Sequence, residues 1–347
     1  MDMKLEKNIA LRTLTTMRAG GPARFFAVAE NDAEIGEAVS FAEAEGVSLF
    51  VLGEGSNILI SDNGIPGLVL KLGTNKISFE DYEKGQTLLV AEGGAHWDTL
   101  VEEAVLKNLS GIENLSLIPG TAGAAPVQNI GAYGRELADT LLWVEVFDRD
   151  RKKHKRLGKK ECGLSYRESI FKKKEGASLV ITRIALLLHP GGEPQTSYKD
   201  VRDYFETRHI SAPTLADTRR AVVDIRTRKL PDLAKVGTAG SFFKNPIVTK
   251  KQHEALNTTY PGLPGFVVAK GSIKIPLAWI LDHVCGLRGY REGTVGTYES
   301  QPLAIVNYGG ATAKDIRAFA DKIARIVEEK TGILPEREVL LVGDWAA

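Results

Sequence analysis

The chain has 347 residues, 43% hydrophobic and 26% charged, so it can bury more than one core, and length sets an expectation of roughly two to three domains. Its 45 basic residues nearly balance 44 acidic ones, and a net charge of +1 supplies no broad field for recruiting nucleic acid or an anionic membrane. Small ligands met by local charges are the expected partners. The opening MDMKLEKNIALRTL has no sustained apolar run and no stretch is long and uncharged enough to cross a bilayer, so a cytoplasmic protein is expected. Two cysteines, Cys162 and Cys285, lie far apart without CxxC spacing and read as inert thiols. Six scattered histidines form no HExxH pair, so no metal centre is expected.

In chain order, Asn31 or Asp32 caps a helix whose apolar positions Ile35, Ala38, Val39 and Ala42 share one face, and Gly46 ends it. Strands follow at Ser48–Leu52, Leu68–Leu72 and Leu88–Ala91, then an amphipathic helix around Trp97, Leu100, Val101, Ala104 and Val105. The stretch from Ile118 to Gly134 is too poor in charge for an exposed linker and too rich in glycine for an ordinary helix. Leu142–Phe147 and Ser178–Leu188 read as strands, separated by the tract KKHKRLGKK, residues 152–160, which reads as a solvated turn. Residues 189–218 read as a crossing between domains. The last third carries a helical segment from Trp279 to Cys285 and a helix after Thr312, with Thr312 and Asp315 as a capping box. Ile316, Phe319, Ile323 and Val327 form its buried face. The pattern is α+β, without internal repeats.

Five segments can carry chemistry. VLGEGSN, from Val51 to Asn57, is a strand opening into a small-residue loop whose N–H groups could approach a phosphate, or it is a plain turn. It lacks the third glycine of a dinucleotide fingerprint and the GK[ST] of a P-loop. Ile118 to Gly134 is either a second backbone cradle, with Gln128 and Asn129 inside it, or a loop tightly packed between strands. Two cradles would suit a dinucleotide. In YRES, Arg167 offers a planar fork matched to a carboxylate and Glu168 could orient it, although an isolated Arg next to Glu is more often a surface pair. GTAGSFFKNP sets Ser241 in a glycine-bordered turn with Lys244 and Asn245 behind it, and no histidine is placed to make that serine a nucleophile. Finally, PERE ends in Glu338 just before the apolar run Val339–Val342, where a carboxylate could enter a cleft or remain in an exposed turn.

Taken in order, TMRAGGPARFF, LGEGSNILI, GIENLSLIPGTAGAAPVQNIGAYG, CGLSYRESIFK, RKLPD, GTAGSFFKNP and EREV resemble the UDP-N-acetylenolpyruvoylglucosamine reductase family across nearly the whole chain. The resemblance implies an FAD-binding fold similar to vanillyl-alcohol oxidase, with two α+β subdomains, plus a C-terminal substrate-binding α+β domain. It divides the chain into residues 1–72, rejoined by 335–347, then 73–190, a crossing segment 191–220 with a tyrosine loop, and 221–334. FAD would lie against Gly53, Gly55, Ser56 and Asn57, and against Pro119, Gly120, Gly123, Ala124, Gln128, Asn129, Gly131, Ala132, Tyr133 and Gly134. The catalytic arginine, serine and glutamate of the family fall on Arg167, Ser241 and Glu338. Tyr198, Lys229, Asn245 and His283 match positions that hold the UDP-sugar, and Lys229 and Lys244 could meet its diphosphate.

The implied reaction is reduction of an enolpyruvyl ether by NADPH through FAD. Arg167 and Glu338 would stabilise negative charge developing on the substrate carboxylate, and Ser241 would protonate the adjacent carbon. Leu340 stands where many relatives carry an arginine, Glu336 rivals Glu338, and His283 replaces a frequent glutamine. An FAD-dependent alcohol or hydroxy-acid oxidase would share the flavin loops without reason to keep GTAGSFFKNP, and a non-catalytic UDP-sugar binding protein would not need Arg167, Ser241 and Glu338 together. A nucleotidyltransferase would require paired acidic metal ligands. No interface stripe is recognisable, so a monomer is expected.

Overall fold

The computed structural model describes residues 3–345; the outermost positions of the expected spans 1–72 and 335–347, namely 1–2 and 346–347, lie outside the described residues. The chain divides into two compact units. The first comprises residues up to Ile9, Ala23–Glu54 and Pro66–Thr227, and the second Ala10–Pro22, Gly55–Ile65 and everything from Arg228. Helices and antiparallel-rich sheets mix in both, which gives the α+β class.

In the first unit the helix Asp32–Ala44 begins where Asn31 accepts the Glu34 amide at 3.1 Å, and it buries Ile35, Ala38, Val39 and Ala42 as the apolar spacing predicts. It packs with Phe25, Leu68, Leu70, Phe147 and Val180. The strand Leu49–Val51 pairs in parallel with Ile65–Leu72, and its exit points into the first glycine loop. The larger sheet runs Lys153–Gly158, Leu141–Asp148, Leu179–Pro190, Gln86–Glu92, Ile77–Tyr82, all antiparallel. The helix Trp97–Leu106 covers it through Trp97, Leu100, Val101 and Ala104.

One expectation changes here. The basic tract 152–160 is not a turn: Lys153–Gly158 is an edge strand, antiparallel to Leu141–Asp148. Leu157 faces the core, while Lys155 pairs with Asp148 at 3.8 Å and Arg156 with Glu145 at 3.3 Å. The charges thus decorate a strand whose open edge they keep from pairing with another chain. The stretch 189–218, read as a crossing between domains, contains the helix Lys199–Glu206 and the start of Leu215–Lys229. Their charged composition hides a cluster of Val201, Tyr204, Phe205, Ala221, Val222 and Ile225.

The second unit is built on the helix Ala313–Thr331. Thr312 and Asp315 form the expected capping box, Gly332 closes the helix at φ +70°, and Ile316, Phe319, Ile323 and Val327 are buried. They pack with Phe242, Phe243, Ile275 and Leu281. One sheet is ordered Gly237–Ser241, Ala304–Asn307, Val295–Thr297, Arg291–Glu292, and a second Ile247–Thr249, Ser272–Lys274, Phe266–Ala269. The segment around Met17 closes the first of these: Thr238 donates to the Thr16 carbonyl at 3.0 Å and Asn307 Nδ2 to Met17 at 3.1 Å. The expected strand after Glu338 is Leu340–Val342, which pairs in parallel with Ile58–Ile60. The helical segment expected from Trp279 to Cys285 is a short α-turn, Leu277–Trp279, that widens into the π-helix Ile280–Val284.

Candidate active site

The strand Leu49–Val51 delivers Gly53 and Glu54 against the glycine-rich stretch. A Cβ at Gly53 would stand 3.2 Å from Ala124 Cβ and 3.3 Å from Thr121 Oγ1, a tight contact that glycine avoids. Glu54 Oε2 accepts the Gly120 amide at 2.7 Å, and Glu54 Oε1 pairs with His96 Nδ1. The Gly123 amide donates to the Gly93 carbonyl at 2.9 Å, and a Cβ there would press on Gly93 and Ile181 carbonyl oxygens at 2.9 and 3.1 Å. Pro119 is exposed, and Ala124 and Gln128 are half-buried. The two loops therefore adjoin within one unit.

Asn129 sits at φ +45° and is buried. Its amide donates to Glu136 Oε2 at 2.8 Å and the Ser165 carbonyl at 3.1 Å, and its oxygen accepts the Ala138 amide at 2.9 Å. These bonds shape the turn that carries Gly131 and Ala132, paired with Arg135 and Glu136. Arg167 meets this turn. It lies at φ +57° inside the tight reversal closed by Ser165 and Glu168, whose amides and carbonyls exchange bonds at 3.0 Å. Its Nη2 donates to the Gly131 carbonyl at 3.0 Å, and Lys172 Nζ holds its own carbonyl at 2.9 Å. A non-glycine residue kept in the left-handed region by such surroundings is a common feature of functional sites.

Beyond Arg167 the loop carries Tyr133, at φ +47°, and Gly134. The Tyr133 ring meets Tyr198 edge to face, centroids 5.4 Å apart, and a Cβ on Gly134 would lie 3.8 Å from Tyr198 Cβ. Tyr198 precedes the helix Lys199–Glu206 and remains exposed. Burial pushes the Tyr133 phenol up to about 12, against the opposing pull of Arg226, which hydrogen-bonds to it. Burial in turn pushes the Arg226 guanidinium down. Arg226 Nε and Asn114 Oδ1 are buried here without a protein partner.

In the second unit Ser241 ends the strand Gly237–Ser241 opposite Ala304, directly after Gly240 at φ +72°. The next residue brings Glu338 alongside, for the Phe242 carbonyl accepts the Glu338 amide at 2.9 Å. Glu338 is 8% exposed. Glu336, its rival, has a 70% exposed side chain and pairs with Lys244 at 2.6 Å. Gly55 stands at φ +62° against Leu14 and Thr15, Ser56 is half-buried, and Asn57 Nδ2 donates to the Glu338 carbonyl at 3.2 Å. Asn245 Oδ1 accepts the Leu277 amide at 2.9 Å. Lys229, half-buried, ends the helix Leu215–Lys229. His283 is exposed and stacks on Trp279 at 4.6 Å, with Nδ1 3.2 Å from the Trp279 carbonyl.

Three of the residues now visible escape the sequence reading. Glu54 occupies the centre of LGEGSN, where it looks like a spacer. His96 and Arg226 sit in no glycine-rich or polar run, and only their packing marks them. Among the described residues no three His, Cys, Asp or Glu side chains group as a metal site, and no helix is long and apolar enough to cross a membrane.

The loops suit FAD in their charge: from Asn114 to Arg135 the sequence holds no carboxylate to repel a pyrophosphate.

Comparison with known proteins agrees. An FAD binding domain family matches residues 23–154, and the family described as UDP-N-acetylenolpyruvoylglucosamine reductase, C-terminal domain, matches residues 232–342. UDP-N-acetylenolpyruvoylglucosamine reductase of Pseudomonas aeruginosa is 37% identical over 338 residues, covering 97% of this chain and 99% of that protein. The protein of the same name from Chromobacterium violaceum is 37% identical over 343 residues, covering 99% and 100%. The crystal structure of UDP-N-acetylenolpyruvylglucosamine reductase from Thermus caldophilus superposes with a TM-score of 0.68 at 26% identity, covering 98% of this chain and 99% of that one.

Proposed function

The chain belongs to the UDP-N-acetylenolpyruvoylglucosamine reductase family, and we propose that it reduces UDP-N-acetylglucosamine enolpyruvate to UDP-N-acetylmuramate with NADPH, in the cytoplasm and as a monomer. It is an FAD-containing oxidoreductase of peptidoglycan synthesis. We divide it as the sequence suggests, into flavin-binding parts 1–72 with 335–347 and 73–190, a crossing segment 191–220 and a substrate-binding part 221–334.

Gly53, Gly120, Gly123, Ala124, Gly131, Ala132 and their loop neighbours would hold the flavin. When bound, FAD would supply the hydride that reduces the terminal vinyl carbon of the substrate. Arg167 stabilises the negative charge that then develops on the substrate carboxylate, its guanidinium pre-set by the Gly131 carbonyl and the left-handed turn, so that little reorganisation is needed. Glu338, buried, would act on the same charge as a protonated or proton-sharing carboxyl. Ser241 Oγ delivers the proton to the carbon bearing the ether oxygen, giving the lactyl ether. Tyr198, Lys229, Asn245 and His283 hold the UDP-sugar.

The observation that carries this reading is the Glu338 amide donating to the Phe242 carbonyl at 2.9 Å, which supports a serine and a buried carboxyl working side by side. The test is an anaerobic visible spectrum of the purified protein. NADPH should bleach the flavin bands, and UDP-N-acetylglucosamine enolpyruvate alone should restore them. Absence of flavin, or recovery with a different acceptor but not with this one, overturns the proposal. Ser241→Ala should keep the bleaching and lose the recovery.

A further inference from the structure

The Lys244 side chain is only 8% exposed, yet its ammonium reaches the exposed Glu336 carboxylate at 2.6 Å. The same two residues are joined through the main chain, where the Lys244 amide donates to the Glu336 carbonyl at 2.8 Å. One step on, Phe243 bridges Arg337, and then Phe242 accepts the Glu338 amide. From the other side Asn57 Nδ2 donates to the Glu338 carbonyl at 3.2 Å, while the Asn57 carbonyl accepts the Leu340 amide at 3.1 Å. The backbone on both sides of Glu338 is thereby fixed, and the pairing opens at Glu336, directly after Pro335, which has no amide to donate.

Phe243 and Arg337 form one isolated antiparallel bridge between bends at Phe242 and Glu338, so a slip of one residue there would move Glu338 from the place it occupies. Backbone bonds alone tolerate such slips. A charge pair at the first rung resists them, because a slip would part the largely buried ammonium from the Glu336 carboxylate.

We propose that Lys244 is a positioning residue: by pairing with Glu336 it fixes residues 336–338 against 242–244 and so sets where the Glu338 carboxyl stands. The proposal rests on the reductase reading above. It assigns Lys244 to Glu336 in place of the substrate diphosphate, which gives the two roles opposite kinetic signatures.

The experiment uses the full-length, FAD-loaded protein with Glu336→Gln, Lys244→Met, Lys244→Arg, Glu338→Gln, and Glu336→Gln combined with Glu338→Gln. Reduction by NADPH and reoxidation by UDP-N-acetylglucosamine enolpyruvate are followed separately by stopped flow. Glu336→Gln should leave reduction unchanged and slow saturated reoxidation on the order of 10- to 100-fold, the loss that misplacement of a reacting group produces, without raising the half-saturating substrate concentration. Lys244→Arg should recover part of the rate that Lys244→Met loses. In the Glu338→Gln background, adding Glu336→Gln should change nothing further, because the pair acts through Glu338. A raised half-saturation with intact saturated rate in Lys244→Met, an inert Glu336→Gln, or full additivity with Glu338→Gln would each overturn the proposal. Should Lys244→Met fail to fold, the exposed Glu336 still provides the test. A wild-type protein that the enolpyruvyl substrate does not reoxidise overturns instead the reductase reading itself.

Discussion

Glu54 Oε2 accepts the Gly120 amide at 2.7 Å, so a single side chain ties the loop leaving the strand Leu49–Val51 to the head of the glycine-rich stretch. The bond has two consequences. It sets the spacing at which Gly53 and Ala124 face each other, and it occupies the Gly120 N–H, so the donors for a pyrophosphate must be supplied by other groups in these loops. The pairing of Glu54 with His96 and Gly120 engages both of its oxygens.

Glu54→Ala should therefore loosen the flavin without unfolding the protein. Loss of a charge-assisted hydrogen bond, worth about 1.5–3 kcal/mol, corresponds to roughly a 10- to 100-fold weaker FAD affinity. Glu54→Gln keeps an acceptor and should recover much of it. Titration of apoprotein with FAD, followed by flavin fluorescence, reads the difference; an alanine variant that binds FAD as tightly as wild type would contradict the clamp.

Two glycines should respond to alanine in opposite directions. At Gly123 the new Cβ would meet backbone oxygens of Gly93 and Ile181 at 2.9 and 3.1 Å, atoms that cannot swing aside, and a loss of about 1–3 kcal/mol is expected. At Gly36, inside the helix Asp32–Ala44, the nearest atom is Phe147 Cζ at 4.0 Å. There Gly36→Ala should gain about 0.5–1 kcal/mol, since alanine restricts the unfolded chain and favours the helix. Denaturant midpoints of the two variants should bracket that of the wild type.

The helices were legible because their buried faces repeat with helical spacing and their caps are explicit, as at Asn31 and at Thr312 with Asp315. Lys153–Gly158 was not, because an edge strand with one buried leucine and the salt-bridged Lys155 and Arg156 has the composition of a solvated turn. The helices Lys199–Glu206 and Leu215–Lys229 escaped for a related reason: their apolar positions are sparse, and only pairing with each other completes a core. Within the site, the glycines announced close backbone approach, but which backbones approach depends on long-range pairing. Nothing local links Asn57 to Glu338, or Arg167 to Gly131.

Tyr133 should titrate late. Burial raises its phenol from an ordinary 10.0 to about 12, more than the nearby Arg226 lowers it. A group with a raised folded value contributes stability that is fully present below the unfolded value and is lost as pH rises through the folded one. The Tyr133 contribution is therefore intact below pH 10 and disappears towards about 12. The absorbance difference at the phenolate band between wild type and Tyr133→Phe should show this residue ionising only near the top of that window. Ionisation near 10 in a protein that is still folded would mean that Tyr133 is not enclosed by Tyr198 and Arg226 as described.

Asp98 should act in the opposite sense, at low pH. It receives two parallel bonds from Arg219, at 2.7 and 3.0 Å, and the Leu117 amide at 2.5 Å, joining the helices Trp97–Leu106 and Leu215–Lys229 at the entrance to the glycine-rich stretch. Burial pushes its carboxyl up, but the Arg219 hydrogen bond, the Leu117 amide and the charges of Arg219 and Arg226 together hold it below the ordinary 3.8. A depressed carboxyl contributes stability that is present above the unfolded value and is lost as pH falls through the folded one. Asp98→Asn should thus cost about 1 kcal/mol at neutral pH, the scale of a partly exposed pair, and the gap to wild type should stay constant down to about pH 5 and close below 3.8. Added salt should narrow it at neutral pH, since a third of the Asp98 side chain is exposed to screening ions. Urea midpoints measured across that range decide the matter: a gap that persists unchanged below pH 3 would show that the substitution acts through packing and that the ion pair is not what joins the helices.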